Sequence, residues 1–216
     1  MARRKPSVEV ASLMASVAGA SADVEEDEVT TRLLESGASL MSEYGLHRWS
    51  MDDVADRAGV GRTSVYRKFA SRDQLVHAVL ARELYQVFRA VTETAAQYDN
   101  LEDKFVEGAL VALDAVDGSL VTALLDSDPT TFLPFLTTEA APLIALGRDL
   151  MVSQAHALGA EIDPQLAAEL AELAARLAVS FLLTRQTVFP IDDKDAARRS
   201  LRRVLVPMLA PFTTPA

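Results

Sequence analysis

The chain has 216 residues, with 21 lysines and arginines against 31 aspartates and glutamates (formal net charge −10), and 50% of its residues are hydrophobic. That length holds one or two domains with a sizeable core, and the absence of cysteine excludes a disulfide scaffold, a thiolate zinc site and a cysteine nucleophile. The histidines His47, His77 and His156 are too far apart for a helical two-histidine metal motif, and no apolar run approaches the ~18–20 residues of a membrane span.

Along the chain, residues 1–25 mix Ala, Ser, Gly and Val without a sustained period and are expected to be a flexible tail. The basic start Arg3-Arg4-Lys5 has no apolar core behind it, which argues against a signal peptide and for a cytoplasmic protein. The acidic run Asp23 to Glu28 suits the positive end of a helix dipole. From Val29 the apolar spacing is helical (Val29, Leu33, Leu34, Gly37, Leu40, Met41, Tyr44), and Gly45 is expected to end that helix in a left-handed conformation.

Ser50 is placed to cap the next helix by accepting from the Asp53 amide, with Trp49 and Val54 flanking it as a hydrophobic staple. This helix runs only about two turns before Gly59, and Gly61-Arg62 opens another. Two short helices joined by a tight turn with glycine form a helix-turn-helix. Ala55 is small where the helices must approach, Gly59 makes the corner, and Val65 supplies the apolar lock.

At 100° per residue, Val65 and Phe69 mark the buried side of the second helix. Thr63 and Arg67 then point outward, with Tyr66 and Lys68 on the flanks. In a major groove Arg67 would pair with guanine, Thr63 would touch a thymine methyl, and the flanks would meet phosphate. Ser71 and Gln74 read as a capping box that starts a third helix, whose free amides beside Arg72 make a phosphate site. The candidate DNA-contacting set is therefore Ser50, Arg62, Thr63, Ser64, Tyr66, Arg67, Lys68, Ser71 and Arg72.

The acidic net charge does not contradict this, because charge acts locally at ~8–10 Å in salt. Residues 29–75 carry seven basic and six acidic groups, and Gly59 to Arg72 contains Arg62, Arg67, Lys68 and Arg72 without an acid. The excess of carboxylates falls in residues 1–28 and 76–216.

The remainder reads as helices over 101–116, 119–125, 142–158, 164–189 and 194–212, broken at Asp117-Gly118, Asp128-Pro129, Gly159 and Pro190. No period-two strand signal stands out, so the fold class is all-α. After Pro164, one stripe of Leu166, Leu170, Leu173, Leu177 and Phe181 runs beside another of Ala167, Ala171, Ala174 and Ala178. So wide an apolar surface fits a helix buried both within its subunit and against a partner. The last helix adds Leu201, Val204, Leu205 and Met208, and Arg198, Arg199, Arg202 and Arg203 opposite them read as a solvated or salt-bridged face. Phe105, the Phe132-Leu133-Pro134-Phe135 turn, Met151 and Gln154 are candidate walls of a pocket for a small hydrophobic effector. No enzyme is expected: Gly59-Val60-Gly61 follows a helix rather than a strand and lacks the rest of a phosphate loop, and no Gly-x-Ser-x-Gly elbow occurs. No metal or cofactor is expected either.

Residues Thr31 to Leu80 resemble the DNA-binding domain of the TetR (tetracycline-repressor-like) family. The resemblance rests on Leu33-Leu34-x-x-Gly37-Ala38-x-Leu40-Met41-x-x-Tyr44-Gly45, Ser50-Met51-Asp52-Asp53-Val54-Ala55, Ala58-Gly59-Val60 and Val65-Tyr66-x-x-Phe69-x-Ser71-Arg72. It implies a homodimer that binds a palindromic operator through residues 26–76, with residues 77–216 binding an effector and dimerising. In related proteins the last two long helices form a four-helix interface, which here corresponds to Leu173, Leu177, Phe181, Leu201, Leu205 and Met208. Two positions depart from the family pattern: Gly61 stands where Ser is common, and Lys68 replaces a common His. The alternative is a helical dimeric interaction or sensor protein that no longer reads specific DNA, for which the run Arg62, Tyr66, Arg67, Lys68 would have no use.

Overall fold

The computed structural model describes residues 27–116, 118–157 and 163–209, without the side chains of residues 142, 146, 150, 154, 155, 157, 208 and 209. The expected tail, residues 1–25, lies outside the described residues. Those described form helices and turns with no strand among them. In chain order the helices are α1 (Glu28–Tyr44), α2 (Met51–Ala58), α3 (Arg62–Lys68), α4 (Arg72–Ala95) and α5 (Leu101–Asp114). After them come α6 (Leu120–Ser127), α7 (Pro129–Leu136), α8 (Ala141–Ala157), α9 (Pro164–Leu183) and α10 (Lys194–Val204), then a 3₁₀ turn at Val206–Leu209.

Packing divides the chain into two compact units. One holds the described residues up to Tyr85 together with Gly118–Pro142; the other holds the described residues 86–116 and those from Leu143 onward. The sequence boundary after residue 76 thus falls inside α4, and α6 and α7 pack in the first unit.

In the first unit α1 begins at the cap residue Asp27, whose Oδ1 accepts from the Thr30 amide at 2.8 Å. Leu33, Leu34, Leu40 and Met41 are buried on its inner face, and Val54, Val65, Leu75, Val76 and Val79 complete the centre. Each such side chain withdrawn from water contributes about 1.5–3 kcal/mol. Gly37 sets the approach of α1 to α4, because a Cβ there would lie 3.0 Å from Val79 Cγ2.

Gly45 ends α1 as expected of a glycine but not in the left-handed helical well. Its φ of +76° is joined to a ψ of −169°, a region that other residues enter only under strain. The reason is long-range: the carboxylate of Asp128 accepts from the Leu46 amide at 3.3 Å, and a Cβ on Gly45 would sit 2.9 Å from Asp128 Cβ. Asp128 lies between α6 and α7, and Arg48 Nη2 donates to the adjacent Ser127 carbonyl at 3.4 Å.

Three further expectations are corrected. The segment Phe132–Phe135 is helical, in α7, rather than a turn. Pro129 occupies the first helical position, where a missing N–H costs nothing, and Pro134 forfeits one bond. The helix from Pro164 stops at Leu183, not Phe189. Thr184 turns extended, and the Phe189 ring returns edge-on to Phe181 with centroids 5.6 Å apart. A continuous helix would separate those residues by ~12 Å. The last helix ends at Val204 rather than Phe212, since Pro207 cannot donate back to the preceding turn.

In the second unit α10 packs on α5 through Val106, Leu110, Ala197 and Leu201, with Leu205 and Val206 at the margin. The buried alanine stripe of α9 is Ala167, Ala171 and Ala175, the last facing Gly147 of α8. Arg198 Nε and Nη2 grip the Glu107 carboxylate at 2.6 and 2.9 Å, Arg202 pairs with Asp103, and Lys194 meets Asp114 at 3.0 Å. Arg198 and Arg202 therefore form the salt-bridged face expected of the basic run.

The two glycine corners should differ in tolerance. Gly59→Ala, at φ +65° with open space around it, is expected to cost ~1 kcal/mol. Gly45→Ala is expected to cost ~3 kcal/mol, adding collision with Asp128 to backbone strain. Urea unfolding of both variants checks this, and equal losses would contradict the placement of Asp128.

Candidate nucleic-acid interface

The helix-turn-helix is built by local rules. Ser50 Oγ accepts from the Asp53 amide at 3.2 Å, and the Asp53 carboxylate accepts from the Ser50 amide at 2.7 Å, closing a capping box. The same carboxylate also accepts a hydrogen bond from the Ser50 hydroxyl at 2.7 Å, and these bonds hold the Asp53 carboxyl below the usual range. Gly59 sits at φ +65°, ψ 35°, and its neighbour Val60 donates back to the Ala55 carbonyl at 3.0 Å. This is the left-handed corner that releases the chain into α3. Gly61 provides no side-chain cap, so α3 starts on backbone bonds, with Ser64 N–H donating to Gly61 O at 2.8 Å.

Anchoring of α3 follows the helical wheel. Val65 is fully buried and Phe69 is 7% exposed. Thr63, Tyr66 and Arg67 face solvent, Tyr66 at 53% exposure, while Ser64 and Lys68 are half-buried on the flanks. Ser71 and Arg72 follow at the start of α4. The Ser71 hydroxyl accepts from the Gln74 amide at 3.2 Å, but Gln74 reaches back to the Ala70 amide at 2.7 Å rather than to Ser71 itself. The expected capping box is thus displaced by one residue on its return bond.

The four cations of this stretch have different surroundings. Arg67 is exposed and paired with no carboxylate among the described residues. Arg62 Nε lies 3.0 Å from Asp52 Oδ1 of α2. Lys68 Nζ is held by Asp27 Oδ2, at the cap of α1. Arg72 lays its guanidinium over the Trp49 ring, 4.6 Å from the centroid, and Nη2 lies 3.5 Å from His47 Nδ1. Burial pushes the Arg72 guanidinium down from its ordinary value. Trp49, 6% exposed, is itself fixed by its Nε1–H donating to the Gly45 carbonyl at 3.0 Å. The sequence thus shows the cations but not Asp27, Asp52 or the Trp49 platform as their partners. Asp27 is 41 residues from Lys68, and only its cap role carries a local signal.

The other candidate residues are spread over both units. Phe132 and Phe135 are buried in the first unit with ring centroids 6.1 Å apart, whereas Phe105 and Met151 are half-buried in the second. Of the positions expected at a subunit interface, Leu173 is 39% exposed and Leu177 and Phe181 are half-buried. Leu201 is taken up by the core between α5 and α10, and Leu205 packs at its margin. The side chains of Gln154 and Met208 lie outside the described residues. Among the described residues no group of carboxylates and histidines is arranged to hold a metal, and no helix is long and apolar enough to cross a membrane.

A family model described as "Bacterial regulatory proteins, tetR family" matches residues 33–79, and one described as "Bacterial Tetracyclin repressor, C-terminal domain" matches residues 103–207. The chain is 31% identical over 120 residues to the HTH-type transcriptional repressor KstR2 of Rhodococcus jostii, covering 50% of this chain and 58% of that one. It is 34% identical over 67 residues to the HTH-type transcriptional activator FasR of Mycolicibacterium smegmatis, covering 31% of each. The matched segment therefore spans less than two thirds of either relative. Among solved structures, the TetR family repressor AlkX of Dietzia sp. superposes with a TM-score of 0.64 at 21% identity, covering 85% of this chain and 98% of that one. A TetR-family regulator of Streptomyces coelicolor gives 0.57 at 22% identity, covering 84% and 100%.

The Asp27 contact makes an acid titration informative. Its bond to Lys68, aided by the Thr30 amide, holds the Asp27 carboxyl down to about 2 from 3.8. A depressed folded value means the pair stabilises fully above the ordinary carboxylate range and is lost as pH falls from ~4 towards ~2. Carboxyl NMR should place the midpoint near 2 in the wild type and move it upward in Lys68→Ala. An unmoved midpoint would contradict the pair.

Proposed function

We propose that this chain, which belongs to the TetR family of bacterial regulatory proteins, is a transcriptional regulator whose homodimer binds a palindromic operator and leaves it when a small hydrophobic effector is bound. The carrying observation is the outward face of α3: Thr63, Tyr66 and Arg67 exposed on a helix whose opposite side is anchored by Val65. A seven-residue helix presented this way enters a major groove with its side chains at base edges. Arg67 is assigned to guanine and Thr63 to a thymine methyl. Ser50, Arg62, Ser64, Tyr66, Lys68, Ser71 and Arg72 are assigned to the phosphates on either side, where contacts set register rather than sequence.

Dimerisation is assigned to the leucine stripe of α9. With Ala167, Ala171 and Ala175 buried in the unit, Leu173, Leu177 and Phe181 remain at or near the surface. Two recognition helices then sit in successive major grooves, ~34 Å apart.

Effector control is supported by the position of residues 118–142. They fall within the match to the C-terminal family model, yet they pack in the unit that carries α1–α3. Asp128 and Ser127 hold the Leu46 amide and Arg48, next to the α1–α2 corner. Phe132 and Phe135 of α7, buried in that same unit, are the proposed apolar contacts for the effector. An effector acts through them only by as much as its affinity differs between the DNA-binding and released shapes. Its apolar character agrees with the subjects of two structural neighbours, AlkX, implicated in biodegradation of n-alkanes, and FadR of Bacillus halodurans, a fatty acid degradation regulator. The family consists of regulators, and no catalytic step is assigned to this chain.

Selection of bound duplexes from a random library tests the reading: enrichment of a palindrome is expected, and binding that random duplex competes away equally would contradict it. Arg67→Ala should relax preference at one base pair of each half-site by ~1–3 kcal/mol. Lys68→Ala should instead weaken binding to every sequence. Equal loss of specificity in both variants would overturn this division of roles.

A further inference from the structure

We infer that Asp27 is an intramolecular stand-in for DNA phosphate: its carboxylate occupies the Lys68 ammonium in the free protein and sets how strongly the recognition helix is drawn to any duplex. This rests on the DNA-binding reading above and adds to it a residue outside the helix-turn-helix that restrains affinity.

The geometry is specific. Asp27 uses its two carboxylate oxygens for different tasks: Oδ1 accepts from the Thr30 amide and hydroxyl at 2.8 and 3.0 Å, capping α1, and Oδ2 faces Lys68 Nζ. Lys68 is the last residue of α3, where a cation also complements the helix dipole. At the other end of the same helix, Arg62 is held by Asp52. Both terminal cations of the reading helix thus carry a carboxylate supplied by another helix, and Arg67 between them does not. Generic attraction to phosphate is reduced at the two flanks, while the side chain aimed at base edges is left unoccupied.

The contact is a restraint and not a lock. Asp27 and Lys68 both reach solvent, with side-chain exposures of 53% and 31%, and exposed pairs of this kind are weak. The dense phosphate charge of a duplex can displace the carboxylate, but the lysine it gains is one whose charge was already neutralised by Asp27. Fewer counterions are released per lysine engaged, so affinity and its salt dependence are both lowered. The effect applies to all sequences, because phosphate carries no sequence information.

Asp27→Asn separates the two tasks, since the amide oxygen still caps Thr30 while the charge is removed. Asp27→Ser, a second neutral cap, guards against a fault peculiar to asparagine. Binding is measured on a random-sequence 30-base-pair duplex and on a duplex selected by the wild-type protein. Each variant should bind both ~3–10-fold more tightly, with the slope of log affinity against log salt steeper by up to ~0.9. In a Lys68→Ala background the same substitutions should change affinity by less than ~2-fold, because the partner is gone. Weaker binding would mean that Asp27 orients Lys68 for phosphate and would overturn the inference, as would no change. An equal gain with and without Lys68 would also overturn it, by showing only general repulsion. A wild-type protein that binds no duplex would remove the DNA-binding reading itself, an outcome distinct from normal binding that Asp27→Asn leaves unaltered.

Discussion

The burial of Val65 and Phe69 is what the proposed DNA-facing surface depends on. A helix as short as α3 has no stability of its own, because the nucleation cost is not recovered over two turns. It exists as a helix here because one side is pinned by a fully buried valine and a nearly buried phenylalanine, and because Gly59 delivers the chain at the required angle. Pinning one side leaves the other facing outward, which is where Thr63, Tyr66 and Arg67 stand. Support reaches this arrangement from outside the motif, through the Trp49 ring, which is fixed to Gly45 and lies beneath Arg72.

An acidic protein that is to approach DNA, as proposed here, must manage its charge by position. The carboxylates of this chain are not merely distant from the basic stretch: Asp27 and Asp52 contact two of its cations directly. A stripe that looks uniformly basic in the sequence is therefore graded in the folded protein, from Arg67 without a carboxylate partner among the described residues to Lys68 held by one. In the second unit, Arg198 and Arg202 of the basic run of α10 are paired with Glu107 and Asp103 of α5. Like clusters of arginine and lysine thus serve opposite ends, one turned toward solvent and the other tying two helices together.

Features carried by local chemistry were readable in the sequence. The Ser50 cap, the Gly59 corner and the inward spacing of Val65 and Phe69 each depend on residues within four or five positions, and each is found in the structure. What escaped depends on distant partners. Nothing near Gly45 tells that Asp128 occupies the space beside it, and nothing near Lys68 points to Asp27. The segment Phe132–Phe135 read as a turn because the helical form of Pro129–Leu136 depends on a Pro at the first position and on packing of Phe132 and Phe135. Helix ends were misplaced where a ring contact, Phe181 with Phe189, or a proline inside the expected span, Pro207, decided them. Leu201 shows the same limit: an apolar stripe tells that a face is covered, not whether the cover comes from its own unit or from a partner.

Methylation interference on a duplex selected by the wild-type protein tests most directly that the exposed side of α3 meets base edges in the major groove. Guanine N7 methylation in each half-site should block binding, and with Arg67→Ala one such guanine per half-site should cease to matter. Interference confined to adenine N3 in the minor groove, or the same guanine pattern for both proteins, would contradict the account.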